Sequence, residues 1–151
     1  MEADMKTHYC LGFLFNEERT SVALLRKNRP AWQAGKLNGL GGHIEDNESA
    51  LFAMQREFSE EANYPEAYLL DWKYYAKLEG PNFVCHCFAA TGSLSMISGK
   101  TDEFVEVTSV ESLGLIRNQC IDNLAWLVYM AADFLEDGRP SHALVTYESN
   151  N

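Results

Sequence analysis

Residues 41–64 read GGHIEDNESALFAMQREFSEEANY, and the reading of this stretch decides the fold. Between Asn47 and Ala62 there is neither Gly nor Pro, and the good helix formers Ala50, Leu51, Ala53, Met54, Gln55 and Arg56 predict a helix of about four turns starting at Asn47 or Glu48. Residues three and four apart share a helix face, so Leu51, Met54, Phe58 and Ala62 form an apolar stripe, with Glu57, Glu60 and Glu61 on an adjacent strip. Like charges at these spacings destabilise an isolated helix by a few tenths of a kcal/mol per pair, and Glu near a helix C-terminus opposes the macrodipole. A divalent cation at that corner reverses both effects, because it needs converging oxygen ligands and negative charge. Asn63 falls where the helix must leave through a left-handed residue, and Pro65 bars its continuation. The competing reading is a solvated acidic face with Arg56 and Glu60 as an i,i+4 surface pair.

Upstream, His8 to Phe15 and Ser21 to Leu25 are apolar runs separated by the polar turn Asn16-Glu-Glu-Arg19, the pattern of a β-hairpin. Residues 26–42, RKNRPAWQAGKLNGLGG, contain one Pro and four Gly with little periodicity, and read as a loop long enough to carry function. Downstream, Tyr68 to Lys77 and Phe83 to Ala90 read as strands joined by a turn at Glu79 to Asn82, and Thr91 to Thr101 as a Gly/Ser-rich loop. Phe104 to Thr108 alternates as a strand. Ile121 to Leu135 carries a helical stripe that Gly138 and Pro140 are expected to stop, and His142 to Asn151 leaves room for one short edge strand.

The 151 residues suit one domain, 1–151, and 46% hydrophobic with 23% charged residues excludes wholesale disorder and a fibrous fold. No apolar run approaches the roughly 18 residues of a membrane span, and the N-terminal MEADMKTHYC has acids where a secretory signal has a basic region, so no membrane partner and a cytoplasmic location are expected. The net charge of −10, from 12 Lys plus Arg against 22 Asp plus Glu, disfavours a nucleic-acid polymer as partner. A small phosphate substrate would then need its charge cancelled locally, for which a divalent cation held by carboxylates is the natural candidate. Cys10, Cys85, Cys87 and Cys120 read as reduced core thiols; Cys85-His86-Cys87 lacks the second ligand pair of a zinc site.

Counted from Gly42, five residues lead to Glu48, seven more to Arg56-Glu57, and then come Phe58-Ser59-Glu60-Glu61 and Ala62-Asn63-Tyr64. This resembles the Nudix box, Gly-x5-Glu-x7-Arg-Glu-U-x-Glu-Glu-x-Gly-U with U a bulky apolar residue. It departs at the late glycine, here Asn63, and at the last U, here Tyr64. The resemblance implies an α/β fold, an α/β/α sandwich around a mixed sheet, and a single Nudix hydrolase domain that cleaves a nucleoside diphosphate linked to another group. It implies that Glu57, Glu60 and Glu61 bind Mg²⁺ or Mn²⁺, with a backbone carbonyl of Gly41 or Gly42 as a further ligand. Arg56 would orient a carboxylate and Glu48 would tie the loop to the helix. Asp102-Glu103 stands where the family often has a distal acid, Glu103 being favoured; whether Glu57, Glu60 or Glu103 is the general base varies within the family and stays open.

Gly35 to Gly42 resembles the WNGFGG-like run of Nudix enzymes that sanitise oxidised purine nucleotides, where the Asn reads the base edge. Asn38 either does this or fixes the loop. Asp122 and Asn123 lie where the family has a second base reader, or they cap the last helix. Trp32 stacks on a base or anchors the loop. The expected function is divalent-metal-dependent hydrolysis of a nucleoside triphosphate, an oxidised purine nucleotide being one candidate, to monophosphate and pyrophosphate. The alternatives are an ADP-ribose or dinucleotide pyrophosphatase and a non-catalytic nucleotide-sensing domain, against which the intact glutamate triad argues. The expected partner is a small-molecule nucleotide, with a homodimer left open.

Overall fold

The computed structural model of the protein describes residues 5–99, 102–137 and 142–149. Strands β1 (Thr7–Phe15) and β2 (Ser21–Arg26) form the expected hairpin, with Leu14 opposite Ala23 and Phe15 opposite Val22. The two strands then diverge. The end of β2 pairs with β3 (Leu37–Asn38), and the earlier part of β1 pairs with β4 (Leu40–His43), from Gly12 opposite Leu40 to Tyr9 opposite His43. Residues 26–42, expected as a loop, therefore hold a 3-10 turn at Ala31–Gln33, all of β3 and all but the last residue of β4. Their pairing is made by backbone groups, which leave no side-chain periodicity to read where glycine dominates. At Gly41, φ is 154° and an added Cβ would stand 2.0 Å from the Cys10 carbonyl oxygen, so only glycine lets β4 lie this close to β1.

Along its other edge β1 runs parallel to β6 (Phe83–Thr91), which pairs antiparallel with β5 (Lys73–Glu79), itself parallel to β8 (Ala143–Thr146). Strand β7 (Phe104–Ser109) lies antiparallel to β2 and completes what is, among the described residues, a mixed eight-stranded sheet. The strand expected from Tyr68 begins only at Lys73, because Ala67–Leu69 forms a 3-10 turn in which Ala67 is the buried residue and Tyr68 and Leu69 point outward. The 3-10 segment Val110–Gln119, kinked at Ile116, carries no pattern that sequence reading had found. The short edge strand expected after His142 is β8. The stop signals Gly138 and Pro140 lie outside the described residues, and among the described residues no helix is long and apolar enough to cross a membrane.

Helices α1 (Ala50–Ala62) and α2 (Leu124–Asp137) cover opposite faces of the sheet, as strand alternation requires. Leu14, Phe88 and Ala90 pack in one core with Met54 and Phe58, while Phe13, Phe15 and Cys87 pack in the other with Leu127, Val128 and Ala131. This is the expected α/β/α sandwich. Burying a side chain such as Met54 or Phe58 contributes about 1.5–3 kcal/mol, which is what holds α1 on the sheet. Gly12 makes the room: a Cβ there would stand 2.6 Å from Met54 Sδ. The stripe differs from the expected one at one position, since Ala53 is buried and Leu51 is 43% exposed. Helix α1 is turned so that the small Ala53 meets the sheet, a choice made by the sheet surface and not by the helix period.

Candidate active site

Both ends of α1 are built from local residues. Ser49 caps the N-terminus, its Oγ accepting from the Phe52 N–H at 3.1 Å, which starts the helix just after Glu48. At the other end Asn63 is left-handed (φ 46°, ψ 49°), as its sequence position led us to expect, and its N–H donates to the Ser59 carbonyl. The Asn63 Nδ2 reaches Ser98 Oγ at 3.1 Å, and the Ser98 N–H donates to the Ala62 carbonyl at 2.9 Å, so the segment after β6 is stitched across the helix end.

This framework presses the glutamates against β4. Glu61 Oε1 accepts from the Gly41 N–H at 2.8 Å, and Glu57 lies against Gly42, where a Cβ would stand 2.7 Å from Glu57 Oε1. Arg56 holds the arrangement from outside: Nε and Nη2 make a two-point contact to Glu48 at 2.6 and 2.9 Å, Nη1 donates to Glu57 Oε1 at 3.0 Å, and Nη2 also reaches the His43 carbonyl at 3.1 Å. Glu60 is looser, 59% exposed and 3.6 Å from Arg56 Nη1. From the sheet's other flank comes Glu103, which is buried; its Oε2 accepts from the Asn28 and Arg29 N–H groups at 2.6 and 3.2 Å, and its Oε1 meets Lys27 Nζ at 3.2 Å.

These residues line a cleft with two connected lobes. The acidic lobe, about 400 Å³, is bounded by Glu57, Glu60, Glu61, Glu103, Glu45, Lys27, Arg29, Gly41, Gly42 and His43. The larger lobe, about 720 Å³, shares Lys27, Arg29, Gly41, Gly42 and His43 with it and is further lined by the strand residues Tyr9, Leu11, Leu78, Phe83 and Cys85 and by Trp32, Gln33, Asn38, Ile121 and Asn123.

The expected site residues are not all brought together. Glu57, Glu60, Glu61, Glu103, Gly41 and Gly42 meet in the acidic lobe, with Arg56 behind them, and Asn38, Trp32 and Asn123 line the larger one. Asp122 is exposed and lines neither lobe, whereas its neighbour Asn123, just before the start of α2 at Leu124, lines the larger one. Asn123 does not cap α2 with its side chain, which donates to Tyr147 Oη at 3.1 Å. Trp32 is 68% exposed, so it does not anchor the loop by packing. Asn38 spends both ends of its amide inside the loop, on the Gly39 N–H and on Gln33. Sequence reading missed Lys27, Arg29, His43, Gln33, Tyr9, Phe83 and Cys85. The basic run Arg26-Lys27-Asn28-Arg29, in so acidic a chain, was the available signal for the first two.

Burial is the main electrostatic influence on the acidic lobe. It pushes the Glu61 carboxyl up to about 8 against the Gly41 hydrogen bond, and raises Glu57 against the pull of Arg56. Glu103 is the opposite case: burial alone would raise it, but the Asn28 N–H and Lys27 hold it below its ordinary value. Asp102 is drawn down to about 2 by hydrogen bonds from Arg29 and Asn28. Glu61 thus binds a proton more tightly folded than unfolded, and between its ordinary 4.5 and about 8 the folded state holds the extra proton, so stability falls as pH rises through that window. Glu61→Gln keeps an acceptor for Gly41 and should raise the Tm of the metal-free protein by several degrees at about pH 8 while changing it little at about pH 5. Thermal melts in chelator check this, and equal shifts at both pH values would show that Glu61 carries no such burden.

Two desolvated carboxylates beside a glycine strand fit a hard divalent cation, which takes oxygen ligands and removes the cost of their burial. Among the described residues no three His, Cys, Asp or Glu side chains stand as a finished ligand set. Glu57, Glu60 and Glu61 all border the lobe, Glu60 being the most exposed of the three.

The NUDIX domain family model matches residues 7–134 of the chain. Among solved structures the chain is similar to a NUDIX hydrolase from Nitrosomonas europaea, with a TM-score of 0.72 at 18% identity, covering 98% of this chain and 82% of that one. It is similar to the MutT protein from Bacillus halodurans, with a TM-score of 0.65 at 14% identity, covering 95% and 90%. It is also similar to a bifunctional NMN adenylyltransferase/ADP ribose pyrophosphatase from Francisella tularensis, with a TM-score of 0.66 at 15% identity, covering 91% of this chain and 42% of that one. At these identities the likeness is one of fold. No curated protein matches.

Proposed function

The chain belongs to the Nudix family, which acts on nucleoside diphosphate-linked substrates, and on that premise we propose that it hydrolyses a nucleoside triphosphate to monophosphate and pyrophosphate with the help of Mg²⁺ or Mn²⁺. The observation that carries this reading is the continuity of the two lobes. An acidic lobe able to hold a cation opens directly into an apolar lobe of a size suited to a nucleoside, and Lys27 and Arg29 stand at the junction, where a phosphate chain would cross.

Glu57, Glu60 and Glu61 would hold the cation, with backbone groups of Gly41 or Gly42 beside them. A bound divalent ion supplies Lewis acidity toward the phosphate oxygens and toward water. Arg56, itself fixed by Glu48, keeps Glu57 oriented. Glu103 is held ionised by the Asn28 N–H and Lys27, as a base or ligand must be, and Glu57, Glu60 and Glu103 all remain candidates for the proton acceptor. Lys27 and Arg29, already paired with Glu103 and Asp102, would offset phosphate charge only in part. Tyr9, Phe83 and Trp32 supply ring faces for a base.

The test is a panel of nucleoside triphosphates, ADP-ribose and dinucleotides with Mg²⁺, scored by product. Monophosphate with pyrophosphate supports the proposal. Cleavage confined to ADP-ribose or dinucleotides replaces it with that chemistry, and nucleotide binding without cleavage would make the domain a sensor.

A further inference from the structure

We propose that Gln33 reads the base in the larger lobe and that Asn38 acts through it, holding the Gln33 amide so that N–H donors face the ligand. The lobe then favours a nucleotide whose base has a carbonyl oxygen on the read edge over one with an amino group there. This rests on the nucleotide-hydrolase reading above.

The orientation of an amide is settled by what its partners can do, and here one backbone group settles two amides. The Gly39 N–H can only donate, and it lies 2.8 Å from the near end of the Asn38 amide, so that end is Oδ1. The far end is then Nδ2, which can only donate, and it lies 3.2 Å from the Gln33 amide, so the atom it meets is Gln33 Oε1. What remains of Gln33 is Nε2 with its two N–H groups, which makes no hydrogen bond within the described residues, on a side chain that lines the larger lobe.

The backbone beneath is firm. The Gln33 N–H donates to the Pro30 carbonyl at 2.9 Å, the Lys36 N–H donates to the Gln33 carbonyl at 2.9 Å, and Lys27 exchanges hydrogen bonds with Lys36 and Gly35 at 2.8 Å each. Asn38 is held in turn on β3, paired across from Leu25. Tyr9, Trp32 and Phe83 provide the ring faces, and Gln33 the polar group at the edge. A donor aimed at a base carbonyl is satisfied; the same donor aimed at an amino group leaves two donors unpaired, which is where discrimination by hydrogen bonding arises.

Inosine and adenosine triphosphates differ on one edge only, where O6 with N1–H stands in place of the N6 amino group with an N1 acceptor, and kcat/KM for each with Mg²⁺ reads the effect of a donor placed against position 6. The parent should prefer inosine triphosphate by about tenfold or more. Gln33→Glu presents an acceptor in place of the donors and should lower that preference by about tenfold. Asn38→Asp should move the ratio in the same direction by acting through Gln33: the carboxylate still accepts from the Gly39 N–H, but its other oxygen can only accept, so Gln33 must turn and present Oε1 to the lobe. Gln33→Leu should bring the ratio near unity. A merely structural role for the pair would change both substrates alike, and thermal melts check that the variants fold. A parent ratio near unity, or a ratio unmoved by Gln33→Glu and Asn38→Asp in an active enzyme, overturns this inference alone. Failure of every nucleotide to turn over overturns the proposed function and this inference with it.

Discussion

In EDTA the protein should turn over no nucleotide, and added Mg²⁺ or Mn²⁺ should restore hydrolysis. The expectation follows from the charge balance of the cleft. Glu57, Glu60 and Glu61 border the lobe into which a triphosphate would extend, and the cations at hand, Lys27 and Arg29, are already engaged with Glu103 and Asp102. Without a divalent ion a polyanionic substrate meets more negative charge than it can displace, and water has nothing to activate it, so a loss of about a thousandfold or more is expected. A readout independent of catalysis accompanies it: at about pH 8, where the proton on Glu61 begins to leave, Mg²⁺ should raise the Tm by replacing that proton, with a concentration dependence set by its affinity. Hydrolysis at an undiminished rate in EDTA would refute the assignment of the acidic lobe.

Glu60→Gln should separate chemistry from structure more cleanly than any other change in the cluster. Glu60 is 59% exposed and touches Arg56 only at 3.6 Å, and Arg56 keeps its two-point contact with Glu48 without it. Gln is nearly isosteric, forms helix well and removes one of three neighbouring negative charges, so the metal-free variant should melt at the parental temperature or slightly above it. Activity should move the other way. A neutral amide binds Mg²⁺ weakly and cannot take a proton from water, and kcat should fall on the order of 10²-fold or more. A variant that melts early yet turns over at the parental rate would make Glu60 a structural residue.

What the amino-acid sequence by itself determines in this protein is local. The helix through the glutamates follows from residues that contact one another within a turn or two, and so do the left-handed exit at Asn63 and the adjacency of Arg56 to Glu48, eight residues apart. The Nudix spacing was legible for the same reason: from Gly42 to Glu61 the chain builds the acidic lobe largely from itself, so its geometry is written in intervals along one segment.

The tertiary structure alone decided what depends on distant segments meeting. Glu103 lies seventy-five residues from the Asn28 N–H that holds it, and its burial is a property of the pairing of β7 with β2. Leu51 faces outward and Ala53 inward because the sheet surface set the rotation of α1, which the helical period leaves free over a range of angles. Asp122 and Asn123 are neighbours in the chain, yet only the second lines the cleft, because the start of α2 fixes which of two adjacent side chains turns inward. Asn38 read from its resemblance to a base-reading run as either a base reader or a residue that fixes the loop. Only the path of β3 and the 3-10 turn at Ala31–Gln33 shows that its amide is spent on Gly39 and Gln33, since hydrogen-bond partners are chosen by three-dimensional proximity and by which atoms can donate.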